Sequence, residues 1–180
     1  MINQPPQEAT GLAQWILLRL KPFVDDDAAS LFADEAEEGA VTAGRPWSIL
    51  IVDDDSEVHA AIGLALSGAE IDGRRLRLSH CHSASEARTR LAGDEEDIDL
   101  VLLDVVMESA EAGLDLLESL RAEPETRSLP VLIHTGQAGR FSENMVRARY
   151  DISGYLPKSS VTQQGLLSAL RAVLQEGRAA

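Results

Sequence analysis

Cysteine, aromatic residues and positive charge are all scarce in this chain of 180 residues. The single cysteine, Cys81, excludes an intramolecular disulfide and is typical of a reducing compartment. Aromatic residues make up only 4% of the chain, and 16 Lys and Arg stand against 30 Asp and Glu, which gives a net charge of −14. Because binding to a phosphate backbone needs a surplus of cations, this balance argues against a nucleic-acid partner.

The sequence also lacks a long apolar segment and a targeting signal. Its densest apolar cluster, residues 12–20, is too short to span a bilayer and contains Gln14 and Arg19. The first residues lack the positive region of a signal peptide. We therefore expect a cytoplasmic protein with no membrane insertion. Hydrophobic residues make up 44% of the chain, which is typical of a globular protein with a sizeable core.

Residues 1–46 differ in composition from the rest of the chain and are predicted to form an extension. Apolar residues at roughly helical spacing predict a short amphipathic helix over residues 7–21, which Pro22 ends. Packing on the main domain, fraying, docking and dimerisation all remain open for this helix. Seven carboxylates and no Lys or Arg follow between Asp25 and Glu38, a pattern typical of a solvated linker.

From residue 47 to residue 176 the chain alternates strand patterns with helical patterns, and residues 177–180 form a tail. Short apolar segments of the kind buried in parallel sheets predict five strands, at residues 48–52, 76–81, 100–103, 131–133 and 154–156. Each is followed by a helical pattern. Ser56 and Ser83 are the predicted N-caps of the first two helices, with Glu86 completing a capping box in the second. Together these patterns predict a doubly wound α/β domain with a five-stranded parallel sheet.

Polar side chains follow the predicted strands at their carboxyl ends, where open parallel sheets bind ligands. They are Asp53, Asp54 and Asp55 after the first strand, Asp104 after the third, Thr135 after the fourth and Lys158 after the fifth. Clustered carboxylates need a cation, and Mg²⁺ binds to a few carboxylates while keeping waters and phosphate oxygens as further ligands. Asp104 is then a candidate nucleophile towards phosphorus, and Lys158 would neutralise charge on the transferred group.

With these residues, the chain from 47 to 176 resembles the receiver domain of two-component response regulators, which has a flavodoxin-like fold. The resemblance implies that Mg²⁺ is held by Asp53, Asp54, Asp104 and the backbone carbonyl of Val106. It also implies that Asp104 is the phosphoacceptor, with Thr135 and Lys158 as its catalytic partners and with Thr135 and Tyr155 as the switch.

The sequences around these positions are most similar to receivers at the N-terminus of multidomain proteins, some of which carry cyclic-di-GMP phosphodiesterase domains. The resemblance implies a regulatory domain and not an enzyme, phosphorylated by a histidine kinase or a phosphotransfer protein. A downstream protein would bind the face made by the fourth helix, the fifth predicted strand and the fifth helix, and a homodimer is possible. Since the sequence ends soon after the fifth helix, we expect no output domain and an output through partner binding or onward phosphotransfer.

Two other functions stay open at this point. The first is a phosphohydrolase similar to haloacid dehalogenases, with Asp53 as nucleophile and Asp55 as general acid. It lacks the further acidic pair that would be needed downstream of Lys158, because Glu176 is the only carboxylate there. The second is a degenerate receiver that binds partners without being phosphorylated.

Several features near the site depart from the family's pattern or invite another interpretation. Glu108 replaces the proline usual four residues after the phosphoacceptor, and residues 67–74 look like an insertion. The run His80, Cys81 and His82 suggests a metal. Alternation along a strand places neighbouring side chains on opposite faces, however, which argues against a zinc site built from these three residues.

Overall fold

The computed structural model describes residues 44–93 and 97–177, which form one sheet with helices on both faces. The strands are β1 Trp47–Val52, β2 Glu70–Ile71, β3 Arg74–Cys81, β4 Leu100–Leu103, β5 Val131–Thr135 and β6 Gly154–Pro157. The helices are α1 Ser56–Leu66, α2 Ala84–Leu91, α3 Ala112–Ala122, α4 Glu143–Arg149 and α5 Gln163–Glu176, and a 3₁₀ turn spans Lys158–Ser160. The predicted N-terminal helix and acidic linker lie outside the described residues.

The strand order is β2-β3-β1-β4-β5-β6, and all pairings are parallel except the one between β2 and β3. This is the flavodoxin-like, doubly wound arrangement, so the predicted fold class is confirmed. β1 has β3 on one side and β4 on the other, so the chain first extends the sheet towards one edge and then towards the opposite edge. This reversal makes the carboxyl end of β1 the switch point of the sheet. Val52 of β1 pairs with Leu103 of β4, so the residues that follow them leave the sheet side by side.

The five predicted parallel strands are all present, but the sheet formed by the described residues has a sixth strand that the sequence analysis did not predict. The extra strand, β2, lies in the segment predicted as an insertion and pairs antiparallel with the start of β3. Asp72 and Gly73 join the two strands with φ values of 52° and 72°. Two successive positive φ values define the tight hairpin turn that Asp-Gly favours, so the insertion folds back on the sheet edge as a hairpin.

Both faces of the sheet are buried, as the aliphatic strands predicted. Leu50 and Val52 of β1 pack into a core that α2, α3 and α4 cover. Ile49 and Ile51, which alternate with them, pack into a second core that α1 and α5 cover. This alternation explains why β1 is apolar at nearly every position: each of its apolar residues enters one of the two cores. Among the described residues, no helix has the length and apolar character needed to cross a membrane.

The helix starts set the loops around the carboxyl end of the sheet. The N-cap of α1 is Asp55 and not Ser56 as predicted, because the Asp55 carboxylate accepts a hydrogen bond from the Glu57 N–H at 2.8 Å. The Ser83 cap of α2 is confirmed by its bond to the Glu86 N–H at 3.1 Å. Glu108 adds a second acceptor at the start of α2, where the Ala84 N–H lies 3.0 Å from its carboxylate.

Candidate functional site

The carboxylates of Asp53, Asp54 and Asp104 meet at the carboxyl end of β1 and β4. Oxygen atoms from all three lie within 4.8 Å of one another. Asp53 and Asp104 follow paired strand ends, and only 2% and 6% of their surfaces are exposed, whereas Asp54 is exposed. The predicted acidic cluster therefore has two buried members on the sheet and one member facing solvent, which gives a ligand access from one side.

Lys158 closes the other side of this cluster. It begins the 3₁₀ turn that follows β6, and its Nζ lies 2.6 Å from Oδ2 of Asp53 and 2.6 Å from Oδ2 of Asp104. Burial lowers the pKa of Lys158, but attraction by Asp104 and Asp53 outweighs burial and leaves that pKa above its ordinary value. The lysine therefore stays charged and bridges acids that are 51 residues apart in the sequence.

The charge of the pocket favours a further cation. One ammonium faces three carboxylates, which leaves two negative charges in a largely buried site. The pKa of Asp53 is raised to about 6, mainly by burial and partly by the charge of Asp104, although Lys158 lowers it. Oxygen donors with an uncompensated charge of this size fit a hard divalent ion such as Mg²⁺, whose charge would favour the ionised form of Asp53.

The backbone orients Asp104 within the pocket. Its Oδ1 accepts hydrogen bonds from the N–H of Val105 at 2.6 Å and of Val106 at 3.4 Å, while Oδ2 accepts from Lys158. Val106 is thus beside the carboxylate, as predicted, and its carbonyl as a metal ligand stays a prediction. With both oxygens held from different directions, the carboxylate is presented in one orientation, which is what an attacking nucleophile requires.

Thr135 stands at the end of β5, the strand next to β4. It is fully buried, and its Oγ1 accepts a hydrogen bond from the Gln137 N–H at 3.1 Å. Thr135 pairs with Pro157, directly before Lys158, and a Cβ on Gly136 would lie 3.8 Å from the lysine side chain. A hydroxyl can accept and donate at once, so Thr135 keeps its O–H for a ligand at this edge.

Tyr155 lies on the same face of the sheet as Thr135 but further from the pocket. Its ring packs against the core covered by α4, and its hydroxyl donates a hydrogen bond to the backbone carbonyl of Phe141. Burial, and to a smaller extent the charge of Glu143, raises the pKa of the Tyr155 hydroxyl. The ring therefore connects β6 to the start of α4, which is the position that a switch residue needs. Its movement stays a prediction.

Two residues that support the site were missed by the sequence analysis. The Gly113 N–H, at the start of α3, donates to the carbonyl of Val105 at 3.0 Å, and a Cβ there would lie 1.9 Å from the carbonyl oxygen of Asp104. The Nε2 atom of His59 lies 2.7 Å from the carbonyl oxygen of Asp53. The glycine at the start of a helix could have indicated the close approach at Gly113. No local sequence pattern indicates the contact between His59 and Asp53.

Comparison with known proteins agrees with this geometry. The family model for the response regulator receiver domain matches residues 49–171. A 3′3′-cGAMP-specific phosphodiesterase 2 from Vibrio cholerae is 39% identical over 166 residues, which cover 88% of this chain and 32% of that protein. The chain therefore spans about a third of that relative's length. The chemotaxis protein CheY-3 of the same species is 32% identical over 63% of this chain and 82% of its own length.

Solved structures show the same architecture. A putative response regulator from Chloroflexus aurantiacus matches with a TM-score of 0.59 and 28% identity over 73% of this chain and 99% of its own. The signal receiver domain of an HD domain-containing protein from Pseudomonas fluorescens, 24% identical, has a TM-score of 0.62 over 76% of this chain and 100% of its own. The order of the strands, the acidic cluster with its lysine and the matching family model lead to one assignment: this chain belongs to the response regulator receiver domain family.

Proposed function

We propose that this chain is a phosphorelay receiver that accepts a phosphoryl group on Asp104 in the presence of Mg²⁺. The observation that carries the proposal is the Lys158 ammonium, 2.6 Å from both Asp53 and Asp104 in one buried pocket. Three carboxylates and one lysine provide a metal site, a nucleophile and a charge partner at the same sheet edge. We propose that the receiver occupies residues 47–176 and that residues 1–46 are an extension.

The chemistry follows from where these groups stand. A carboxylate oxygen of Asp104 attacks the phosphorus of a phosphohistidine, a P–O bond forms, and the P–N bond to the imidazole breaks. The imidazole leaves with the electron pair of that bond. Asp53, Asp54, Asp104 and the Val106 carbonyl would hold Mg²⁺, which supplies positive charge for the oxygens of the transferred group. Lys158 stays protonated beside the acceptor and stabilises the same charge.

The output depends on a rearrangement at β5 and β6. The phosphoryl group of an aspartyl phosphate carries a charge near −2, in place of the single negative charge of the carboxylate, and this charge attracts the O–H of Thr135. Tyr155 would then follow into the space that Thr135 leaves and release its bond to the Phe141 carbonyl. This movement changes the face made by α4, β6 and α5. It is the face predicted from the sequence, because the fifth predicted strand is β6. We propose that a downstream protein binds this face in the cytoplasm. The phosphoryl group would come from a histidine kinase or a phosphotransfer protein, and two copies of the chain would form a homodimer.

The structure offers a reason to prefer this function to the phosphohydrolase. A hydrolase would need Asp55 as a general acid beside Asp53. Instead, the Asp55 carboxylate caps α1 through the Glu57 N–H, and it is not part of the acidic cluster. The third carboxylate is Asp104, which comes from another strand, as a receiver requires. We therefore propose a regulatory role for this domain and no turnover of phosphate esters.

The test is labelling with acetyl phosphate, followed by intact-mass spectrometry. The natural chain is expected to gain the mass of one phosphoryl group when Mg²⁺ is present and to remain unlabelled in EDTA. Asp104→Asn should remain unlabelled under both conditions. Asp115→Asn, an exposed acid of α3, is the matched control and should label normally. Labelling of Asp104→Asn at the natural rate would refute the assignment of the phosphoacceptor, and release of phosphate from an aryl phosphate would favour the hydrolase.

A further inference from the structure

Three of the four histidines of this protein lie together, next to the acidic pocket. His59 of α1 and His80 of β3 approach with their Nδ1 atoms 2.8 Å apart. The ring of His82, just beyond β3, contacts the ring of His59 in a tilted arrangement, with a centroid distance of 4.3 Å. Alternation does separate Cys81 from its neighbours, as predicted from the sequence, and Cys81 is buried in the core on the other face. His80 and His82 therefore share a face, and the helix adds the third imidazole.

The hydrogen bonds define how these rings are protonated. The carbonyl of Asp53 can only accept a hydrogen bond, so Nε2 of His59 carries a proton and its Nδ1 presents a lone pair. The proton between the two Nδ1 atoms then belongs to His80. A neutral imidazole with its Nδ1 lone pair directed at a second imidazole is the form that ligates metals.

We propose that His59, His80 and His82 form a binding site for a divalent transition-metal ion of the Zn²⁺ class, separate from the Mg²⁺ site. Imidazole nitrogen is a ligand for Zn²⁺, Cu²⁺ and Ni²⁺, whereas Mg²⁺ selects oxygen. The bond from His59 to the Asp53 carbonyl is the kind of outer contact that fixes the tautomer and the ring orientation of a metal-ligating histidine.

Admitting the ion requires a change at each of the three rings. Two nitrogens at about 2.0–2.1 Å from a tetrahedral Zn²⁺ stand roughly 3.3 Å apart, so the 2.8 Å gap between the Nδ1 atoms has to open by about half an ångström. The ion replaces the proton on Nδ1 of His80, and that ring takes its proton on Nε2 instead, so no net proton is lost. The largest change falls on exposed His82, whose ring has to rotate to bring a nitrogen to the ion, while its backbone N–H stays bound to Glu86 at 2.6 Å.

The experiment is a calorimetric titration of the full chain with Zn²⁺ in excess Mg²⁺, which keeps the carboxylate pocket occupied. The natural chain is expected to bind one Zn²⁺. His80→Gln and His82→Gln should each weaken binding by about tenfold or more, because each removes a nitrogen ligand. Arg77→Gln, exposed on the same strand but on its opposite face, is the matched control and should bind as the natural chain does. Asp104→Asn should also retain Zn²⁺ binding, which would show that the histidine site does not depend on the phosphoacceptor.

A second measurement does not depend on the variants folding. Cu²⁺ bound to the natural chain should give an electron paramagnetic resonance spectrum with hyperfine splitting from nitrogen, since three imidazoles surround it. The absence of saturable Zn²⁺ binding would overturn the proposal. Unchanged affinity in the double variant H80Q/H82Q, or a Cu²⁺ spectrum without nitrogen coupling, would overturn it as well, because the ion would then lie among the carboxylates.

Discussion

Replacing Gly113 with alanine is expected to destabilise the domain at its phosphoacceptor. The added Cβ would lie 1.9 Å from the carbonyl oxygen of Asp104 and 2.8 Å from the Cα of Val105. Both obstacles are backbone atoms, so the start of α3 or the end of β4 has to move by about an ångström. Overpacking of this kind costs about 1–3 kcal/mol, and the upper end applies here because no side chain can rotate away.

The matched control is Gly63→Ala in α1. No atom lies within 4 Å of the position that the new methyl group would take, and the φ of Gly63 is not in the left-handed region. Alanine is favoured over glycine inside a helix by about 0.5–1 kcal/mol, so this variant should be slightly more stable than the natural chain. The two substitutions add the same methyl group, and they are expected to change the free energy of unfolding in opposite directions.

Urea denaturation at constant Mg²⁺ concentration measures both changes, and acetyl phosphate labelling reports on the site. Gly113→Ala should unfold at lower urea and label more slowly, because the carboxylate of Asp104 moves with its backbone. Gly63→Ala should unfold at higher urea and label at the natural rate. Equal midpoints for Gly113→Ala and the natural chain would show that α3 does not press on the phosphoacceptor backbone, and the reasoning would fail.

Three further substitutions test other contacts. Asp99→Asn weakens the bonds to the Arg45 guanidinium and the Ser48 N–H, and should lower the free energy of unfolding by about 1 kcal/mol, mostly through Ser48 because Arg45 is half exposed. Glu108→Gln removes the negative charge at the start of α2. It should lower the free energy of unfolding, measured by urea denaturation, by about 0.3–1 kcal/mol, and by less in high salt. Burial lowers the pKa of His134 to about 3, so the unfolded chain binds the proton first as the pH falls below about 6.5. Between those values the natural chain should lose up to about 1.4 kcal/mol of stability per pH unit relative to His134→Leu, and parallel acid denaturation curves would contradict this.

The sequence predicted the fold where one rule applied along a whole element. Aliphatic runs bounded by acids defined β1 and β4, because strands buried on both faces have no polar face to interrupt them. β2 was missed since two residues are too few for any periodicity, although the Asp72-Gly73 pair was itself a hairpin signal. Ser56 and Asp55 can both cap a helix, and only the path of the chain out of β1 selects the aspartate.

The candidate site was predictable to the extent that it lies at strand ends. The rule that parallel strands present their carboxyl ends at one edge brought Asp53, Asp104 and Lys158 together without any distance being known. The contact between His59 and His80 was not predictable in this way. It depends on how far along β1 and β3 the helix α1 sits, which is fixed by the packing of apolar side chains in the core beneath it.

Asp53 connects the acidic pocket to the histidine cluster, because every polar group of that residue is bound to a different part of the fold. Its N–H donates to Cys81 of β3 at 3.1 Å, and its carbonyl accepts from His59 of α1 at 2.7 Å. Its Oδ1 accepts from the Asp55 N–H at 3.1 Å, and its Oδ2 binds Lys158 at 2.6 Å. A residue constrained on four sides cannot adjust to a ligand alone. When a cation binds, the side chain that can move to accommodate it is therefore that of exposed Asp54. A movement of the His59 ring would displace Asp53 and so change the acidic pocket directly.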